Sequence, residues 1–181
     1  MRLLYLITRA EPGGAQVHLL ELLRGFRDRA ELHLGVGEDQ DGFLVEEARA
    51  LGVRVHLLRH LVQPVRPVKD FRGLFEVMAL LRKVRPHLLH AHSSKAGFLG
   101  RLAGRALGVK SVFTAHGWAF TDGVPEGMKR LALSMERLAG RLGDLVLAVS
   151  EYDRALALRH KVAPPERIRV VDASRSLDDI K

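Results

Sequence analysis

The residues best suited to chemistry in this 181-residue sequence lie between His90 and Phe120. Two polar turns occur there: Ser93-Ser94-Lys95 follows one predicted strand, and His116-Gly117-Trp118 follows the next. Hydroxyls can hydrogen-bond a sugar or a phosphate, a lysine supplies a cation, and a histidine can donate a hydrogen bond or act as a base. Because parallel strands end at a common edge, where α/β sheets bind ligands, we expect the two turns to form one site.

Each residue of these turns also has a structural alternative. Ser93 or Ser94 could cap the following helix by accepting hydrogen bonds from its free N–H groups. Lys95 fits that alternative less well, since a cation is unfavourable at the positive end of a helix dipole, and this favours contact with an anion. His116 could bond a neighbouring carbonyl, but its position before Gly117 at the end of a central strand favours contact with a substrate.

A glycine pair joins the first predicted strand to the first predicted helix. Gly13 and Gly14 would let backbone N–H groups approach a ligand closely, and the helix N-terminus adds partial positive charge. A diphosphate or a sugar phosphate suits that position. The alternative is a tight turn with no ligand, and His18, one helical turn later, is expected to pack against the sheet.

Three histidines, His87, His90 and His92, occur close together, and His90 and His92 share one face of a strand. No carboxylate or cysteine stands nearby in the sequence to complete a metal site. We therefore expect these histidines to pack structurally, and the sequence predicts neither a metal nor a cofactor.

Short apolar segments alternate with amphipathic ones along the chain, and Gly52, Gly108 and Gly143 mark helix ends before strands. This pattern predicts a doubly wound, mostly parallel, Rossmann-like α/β sheet over 1–171, followed by an irregular tail or truncation remnant at 172–181. The predicted strands are 2–8, 31–36, 53–58, 87–92, 110–115, 144–149 and 168–171. The predicted helices lie near 14–27, 42–51, 70–84, 95–107, 126–141 and 151–161.

The composition narrows the possible partners and compartment. A formal net charge of +8 favours anionic partners such as phosphorylated molecules or anionic lipid headgroups. Nucleic acid is not favoured, because the cationic residues are dispersed and only two tyrosines and one tryptophan could stack on bases. The absence of cysteine and of a long apolar run fits a cytoplasmic protein that could rest on the inner membrane face.

Four motifs in this order resemble the N-terminal domain of retaining GT-B glycosyltransferases, and most closely the group that builds capsular, lipopolysaccharide and glycolipid sugars. They are GGAQVHLLELL, HAHSSKAGFLGRLAGRALGV, FTAHGWAF and LAVSEYDRALA. The resemblance covers about residues 3–171 and agrees with the fold that the pattern predicts. It implies an acceptor-side domain, one half of a GT-B fold, which uses a nucleotide diphosphosugar as donor substrate and requires neither a metal nor a cofactor.

The resemblance also implies roles for individual residues. His116 would lie near the donor sugar and the reaction centre, and Gly13 and Gly14 would approach the donor diphosphate. Residues Ser93–Lys95 would line the acceptor side, as would Gly117 and Trp118. Arg66, in the basic segment 59–69, would face an anionic or lipid-linked acceptor.

One departure from the family pattern is large. The family's C-terminal domain carries the nucleotide-sugar site with its Arg/Lys pair and paired glutamates, and this sequence contains no such region. We therefore expect the chain to need a C-terminal donor-binding domain or subunit and to be inactive alone. The alternatives are a non-catalytic module or split-enzyme subunit that holds an anionic glycolipid, and a GT-B-type sugar-nucleotide epimerase. The epimerase would need acidic groups at these turns, where none is evident.

Overall fold

Seven parallel strands form one sheet in the computed structural model, which describes residues 1–38, 42–121 and 123–171. All the predicted strands and helices are present, which confirms the α/β prediction. The strands are β1 (Arg2–Arg9), β2 (Glu31–Glu38), β3 (Arg54–Leu57), β4 (Leu88–His92), β5 (Lys110–Ala115), β6 (Leu145–Ala148) and β7 (Ile168–Val170). The helices are α1 (Gly14–Phe26), α2 (Phe43–Ala50), α3 (Pro67–Val84), α4 (Ser94–Leu107), α5 (Glu126–Leu142) and α6 (Glu151–Arg159), and a 3-10 turn covers Pro165–Arg167.

The strand order β3-β2-β1-β4-β5-β6-β7 makes the sheet doubly wound. The chain proceeds outward from β1 to β3 and then returns to place β4 on the other side of β1. β1 and β4 are therefore neighbours in space, with Ile7 paired to His92 near their carboxyl ends. Ligands of open α/β sheets bind at this kind of switch point.

Two apolar layers hold the helices against the sheet. Alternate residues of β1 point to opposite faces, so that Tyr5 and Ile7 contact the layer of α1 and α2, whereas Leu4 and Leu6 contact the layer of α3 and α4. All four side chains are buried. This double burial fixes β1 at the centre of the sheet and thereby fixes the turn that follows it.

Helix α3 begins earlier than the sequence pattern predicts. It starts at Pro67 instead of near residue 70, because proline is tolerated in the first helical turn, where its missing N–H has no partner to lose. The Asp70 carboxylate accepts a hydrogen bond from the backbone N–H of Arg66, which further supports this helix start. The segment 59–69 is thus partly helical.

Gly143 ends α5, but with an extended backbone (φ −78°), unlike the left-handed Gly52 and Gly108. A β-carbon at Gly143 would approach the Arg101 side chain to 2.7 Å, so close packing accounts for this glycine. The predicted tail, 172–181, lies outside the described residues. Among the described residues, we find no helix of sufficient length and apolarity to span a bilayer.

Candidate functional site

The carboxyl ends of β1 and β4 are joined by a hydrogen bond between the hydroxyls of Thr8 and Ser93, whose oxygens lie 2.6 Å apart. Ser93 also immediately precedes α4, yet its side chain makes no capping hydrogen bond. Its backbone adopts φ 118° and ψ 146°, a conformation that residues other than glycine rarely adopt. The alternative interpretation of Ser93 as a helix cap is therefore wrong, and a strained turn marks this position.

A cavity of about 620 Å³ opens beside this turn at the carboxyl edge. Ser93, Ser94 and Lys95 line it. No residue of the turn 116–118 lines it, nor does Arg66, so this cavity does not join the two turns into the one site that the sequence predicts. Most of the wall is apolar. It comes from β1, from helices α4 and α5, and from the segment that precedes α3. Its apolar residues include Ile7, Val65, Phe98, Met128, Leu131 and Met135.

Lys95 forms an ion pair within the protein, whereas the sequence predicts a cation that contacts an anionic ligand. Its ammonium group donates to the Asp70 carboxylate and to the backbone carbonyl of Pro64, both at 2.5 Å. The Lys95 side chain is only 8% exposed. This ion pair joins α4 to the start of α3 and holds the segment before α3 against the cavity. The Arg66 side chain remains exposed outside the cavity, and its contact with an acceptor stays a prediction.

The glycine turn leads into α1 with its N–H groups uncapped by any side chain. Gly13 and Gly14 are both exposed, and a β-carbon on Gly14 would meet no atom within 4 Å. Neighbouring Ala15 and Gln16 line the cavity, and Gln16 donates to the carbonyl of Arg9 at 3.0 Å. The turn thus borders the cavity and leaves room for a ligand; its contact with a donor diphosphate stays a prediction.

Trp118 occupies the core and offers an acceptor little surface. Its ring is only 4% exposed, stacks on Phe120 and donates from Nε1 to the carbonyl of Asp153 at 3.0 Å. The chain turns at Gly117, just before Trp118, with a φ of 132° that would strain any L-residue but is open to glycine. The expectation that Trp118 contacts an acceptor therefore does not agree with its burial, whereas Gly117 is exposed.

A cluster of histidine rings lies behind the carboxyl edge. Nδ1 of His92 and Nε2 of His116 are 3.1 Å apart, and the His18 ring meets that of His116 edge-on with centroids at 5.2 Å. The rings of His90 and His92 are tilted by 34° with centroids 4.2 Å apart, and Nε2 of His90 shares a 2.7 Å hydrogen bond with the Thr114 hydroxyl. The strand register brings the rings together, since β4 and β5 are paired and His116 follows β5.

Burial keeps these rings uncharged. It lowers the pKa of His116 to about 4 and that of His90 to about 3, and neighbouring rings reinforce the shift because protonating one disfavours protonating the next. The pKa of His92, which is completely buried, is held well below its ordinary value, and that of His18 is also lowered, both chiefly by burial. At neutral pH each ring therefore carries one proton, on one of its two nitrogens.

Three of these histidines, His18, His92 and His116, each offer a nitrogen within 4.8 Å of the others. The sequence predicts no such cluster, because His18 lies far from the other two in the chain. Neutral imidazoles are ligands of the type that Zn²⁺ prefers. However, His92 and His116 already face each other at hydrogen-bond distance, so a metal ion would have to displace the proton between them. We therefore interpret the cluster as a hydrogen-bond network.

A buried ion pair beneath the cavity is a second feature that the sequence interpretation missed. Arg101, fully buried in α4, donates to the Glu136 carboxylate of α5 at 2.7 Å, and its guanidinium lies 4.3 Å from the Phe113 ring centre. Glu136 also lines the cavity. A charged residue within each apolar helix face was the available signal, because such residues are buried only when paired.

The chain resembles bacterial glycosyltransferases of known sequence. The model of Glycosyltransferase Family 4 matches residues 12–173. An Escherichia coli UDP-Gal:alpha-D-GlcNAc-diphosphoundecaprenol alpha-1,3-galactosyltransferase is 28% identical over 87% of this chain. The O-antigen biosynthesis glycosyltransferase WbnH of Escherichia coli is 25% identical over 86% of it. The matches cover 43% and 44% of those proteins, so the chain spans less than half of their length.

Solved structures support the fold. The HepE protein of Anabaena, determined with UDP and glucose, superposes with a TM-score of 0.74 at 21% identity, over 94% of this chain and 44% of that one. A UDP-GlcNAc 2-epimerase from Methanocaldococcus jannaschii gives 0.65 at 18% identity, over 94% and 45%. Likenesses this distant establish only the Rossmann-like architecture that GT-B enzymes share with such epimerases. The family match covers most of the sequence, and this chain belongs to glycosyltransferase family 4.

Proposed function

We propose that this chain is the acceptor-side half of a retaining glycosyltransferase that transfers a hexose from a nucleotide diphosphosugar to a hydroxyl of a lipid-linked sugar. The observation that carries the proposal is the largely apolar cavity at the carboxyl edge. It combines the hydroxyls of Ser93 and Ser94, which suit a sugar, with walls that suit an alkyl chain. A wholly water-soluble acceptor would have little use for these walls.

The relatives' lengths support a division of labour between two domains. Because the chain spans 43% of its galactosyltransferase relative, we assign donor binding to a second domain or subunit that this sequence does not contain. In the assembled enzyme, His116 would face the donor sugar, and the glycine turn at Gly13 and Gly14 would approach the donor diphosphate. The isolated chain is then expected to transfer no sugar.

The surface around the cavity supports a lipid-linked acceptor held at an anionic membrane on the cytoplasmic side. The rings of Phe71 and Phe75 of α3 meet edge-on with centroids 4.9 Å apart, and both are exposed, as are Met128 and Leu131 of α5. Basic side chains of both helices are interspersed with these apolar residues. Apolar side chains among cations are typical of surfaces that bind anionic lipid. The cavity itself is lined by Met128 and Leu131 of α5 and by Val65 of the segment that precedes α3, so a lipid tail could enter it beside this surface.

The same exposed apolar surface favours a second candidate, a non-catalytic module that holds a glycolipid. The two candidates differ in what the neutral histidine cluster does. A holding module needs no group at the donor sugar, whereas the enzyme half needs His116 there. Full sugar transfer after recombination with a donor-binding domain, and its loss on removal of the His116 imidazole, would separate them.

The test is a pair of binding titrations with the 181-residue chain. The ligands are an N-acetylglucosamine diphosphate that carries an alkyl chain and the same sugar diphosphate without the chain. We expect the alkyl ligand to bind at least about tenfold more tightly, since each buried methylene contributes about 0.8 kcal/mol. Equal affinities for the two ligands would contradict a lipid-linked acceptor.

A matched pair of variants locates the alkyl chain. Met135→Asp places a charge in the cavity wall, and Ser134→Asp places the same charge on the exposed neighbouring position outside the cavity. We expect only Met135→Asp to reduce affinity for the alkyl ligand. Measurable turnover of any nucleotide sugar by the unmodified chain alone would contradict its assignment as half of an enzyme.

A further inference from the structure

A shared proton connects the buried His92 to the more exposed His116. Because both rings are neutral at pH 7 and their facing nitrogens lie 3.1 Å apart, one proton sits between them. It is carried either by His92 Nδ1 or by His116 Nε2. The choice decides whether the outer nitrogen of His116, Nδ1, carries a hydrogen or a lone pair.

The burial of His92 distinguishes the two arrangements. If His116 Nε2 carried the shared proton, His92 would have to carry its own proton on Nε2. That nitrogen is fully buried and has no hydrogen-bond partner among the described residues. A buried N–H without an acceptor is among the rarest features of folded proteins, and unpaired acceptors are less rare. The arrangement with the proton on His92 Nδ1 avoids the unpaired N–H.

We infer that His92 is a positioning residue that donates from Nδ1 to His116 Nε2 and thereby leaves His116 with an N–H on Nδ1. Nδ1 of His116 has no partner in the described part of the chain and, unlike Nε2 of His92, is not fully buried. It is thus available to donate to an oxygen of the ligand. The identity of that ligand as the donor sugar rests on the proposed function; the position of the proton does not.

The edge-on His18 ring limits how His116 can turn. The centroid of the His18 ring lies 5.2 Å from that of His116 and 5.9 Å from that of His92, with interplanar angles of 69° and 80°. Because the His18 ring packs against both other rings, it opposes a rotation of the His116 ring that would exchange its two nitrogens. His92 therefore determines which nitrogen of His116 is protonated, and His18 holds the His116 ring in the orientation that presents this N–H.

The test reads the tautomer directly by NMR. The chain is labelled with ¹⁵N-histidine, and long-range proton–nitrogen correlations are recorded at pH 7, with His116 and His92 assigned by substitution. We expect the proton on Nδ1 in both rings. A proton on Nε2 of His116 would overturn the inference. The tautomer itself is read in the unsubstituted chain, and no active enzyme is needed.

Two variants test whether His92 is the cause. His92→Leu removes the donor, and we expect the His116 proton to redistribute between its nitrogens. Thr114→Val is the matched control, since it removes a buried hydrogen bond from His90 and should leave His116 unchanged. An equal change in both variants would overturn the role of His92. If the chain shows the expected tautomer but fails to bind the alkyl ligand, only the proposed function is contradicted.

Discussion

The hydroxyl oxygens of Thr8 and Ser93 lie 2.6 Å apart and join the ends of two strands that are remote in sequence. Ser93 is held by this bond in a backbone conformation that suits glycine. The hydroxyl thus contributes to the fold at the same point where it borders the cavity. Its contribution to stability can be separated from the cost of the strained backbone.

Substitution of Ser93 by alanine or by glycine makes that separation. Ser93→Ala loses the hydrogen bond and keeps the strain, so the free energy of unfolding should fall by about 0.5–1.5 kcal/mol. Ser93→Gly loses the same bond but relieves about 1–3 kcal/mol of strain, partly offset by the greater freedom of the unfolded chain. We expect the glycine variant to be the more stable by about 1 kcal/mol in urea unfolding. The reverse order would show that the backbone is not strained.

The Lys95–Asp70 ion pair should be structural. Lys95→Met should lower the free energy of unfolding by about 1.5–3 kcal/mol, because it removes a hydrogen-bonded, largely buried charge pair. A double-mutant cycle with Asp70→Asn should show that the two losses are not additive. The control is Lys110→Met, which removes an exposed pair with Asp144 and should cost about 0.5 kcal/mol.

Binding experiments check the same interpretation of Lys95. Lys95→Met should weaken the binding of an alkyl sugar diphosphate and that of the same alkyl sugar without the diphosphate to the same extent. A selective loss for the diphosphate ligand would restore Lys95 as an anion contact, as the sequence predicts.

Breaking the buried ion pair Arg101–Glu136 should lower the free energy of unfolding strongly, whereas replacing both residues with apolar ones should lower it much less. Glu136→Ala leaves a fully buried guanidinium without its carboxylate, and we expect a loss of about 3–5 kcal/mol in urea unfolding. The double variant Arg101→Met with Glu136→Leu should recover most of that loss, since apolar side chains of similar size can replace a buried ion pair. No recovery would mean that the cation above the Phe113 ring contributes independently.

Membrane contact should depend on the aromatic pair of α3. Phe71→Ser, at a side chain 64% exposed, should reduce sedimentation of the chain with vesicles containing anionic phospholipid. Tyr152→Ser, on α6 and 67% exposed, is the matched control and should bind as the unmodified chain does. Equal loss in both variants, or equal binding to neutral vesicles, would contradict this surface.

The fold was predictable because hydrophobic periodicity is a local property of the sequence. Each strand and helix has its own pattern, and the strand order follows from the way parallel units connect. The start of α3 was misplaced by three residues, because Pro67 is equally compatible with a loop and with a first helical turn.

The site was only partly predictable, because its contacts join residues that are distant in sequence. Lys95 was expected to be free since nothing local indicates Asp70, 25 residues away, as its partner. Trp118 was expected on the acceptor side from the family resemblance, whereas the chain turns at Gly117, which has a positive φ, and the Trp118 ring is buried. The association of His18 with His92 follows only from the sheet order.

The histidine network also predicts how stability depends on pH. Burial lowers the pKa of His116 to about 4 and of His90 to about 3, and those of His18 and His92 are lowered as well, whereas histidine in the unfolded chain titrates near 6.5. Between these values the unfolded chain binds more protons than the folded one, so acid favours unfolding. The stabilisation is fully present above about pH 6.5 and is lost as the pH falls toward 4. Each ring that stays neutral contributes up to about 1.4 kcal/mol per pH unit.

The measurement is urea unfolding at a series of pH values between 7.5 and about 4.5. His90→Gln should reduce the slope below pH 6.5 by up to one proton, since glutamine can keep a hydrogen bond to Thr114 without titrating. Thr114→Val is the control, because it breaks the same hydrogen bond without removing a titratable ring, and it should leave the slope nearly unchanged. A free energy of unfolding that stays constant from pH 7 to pH 5 would mean that these rings are not held neutral in the folded chain.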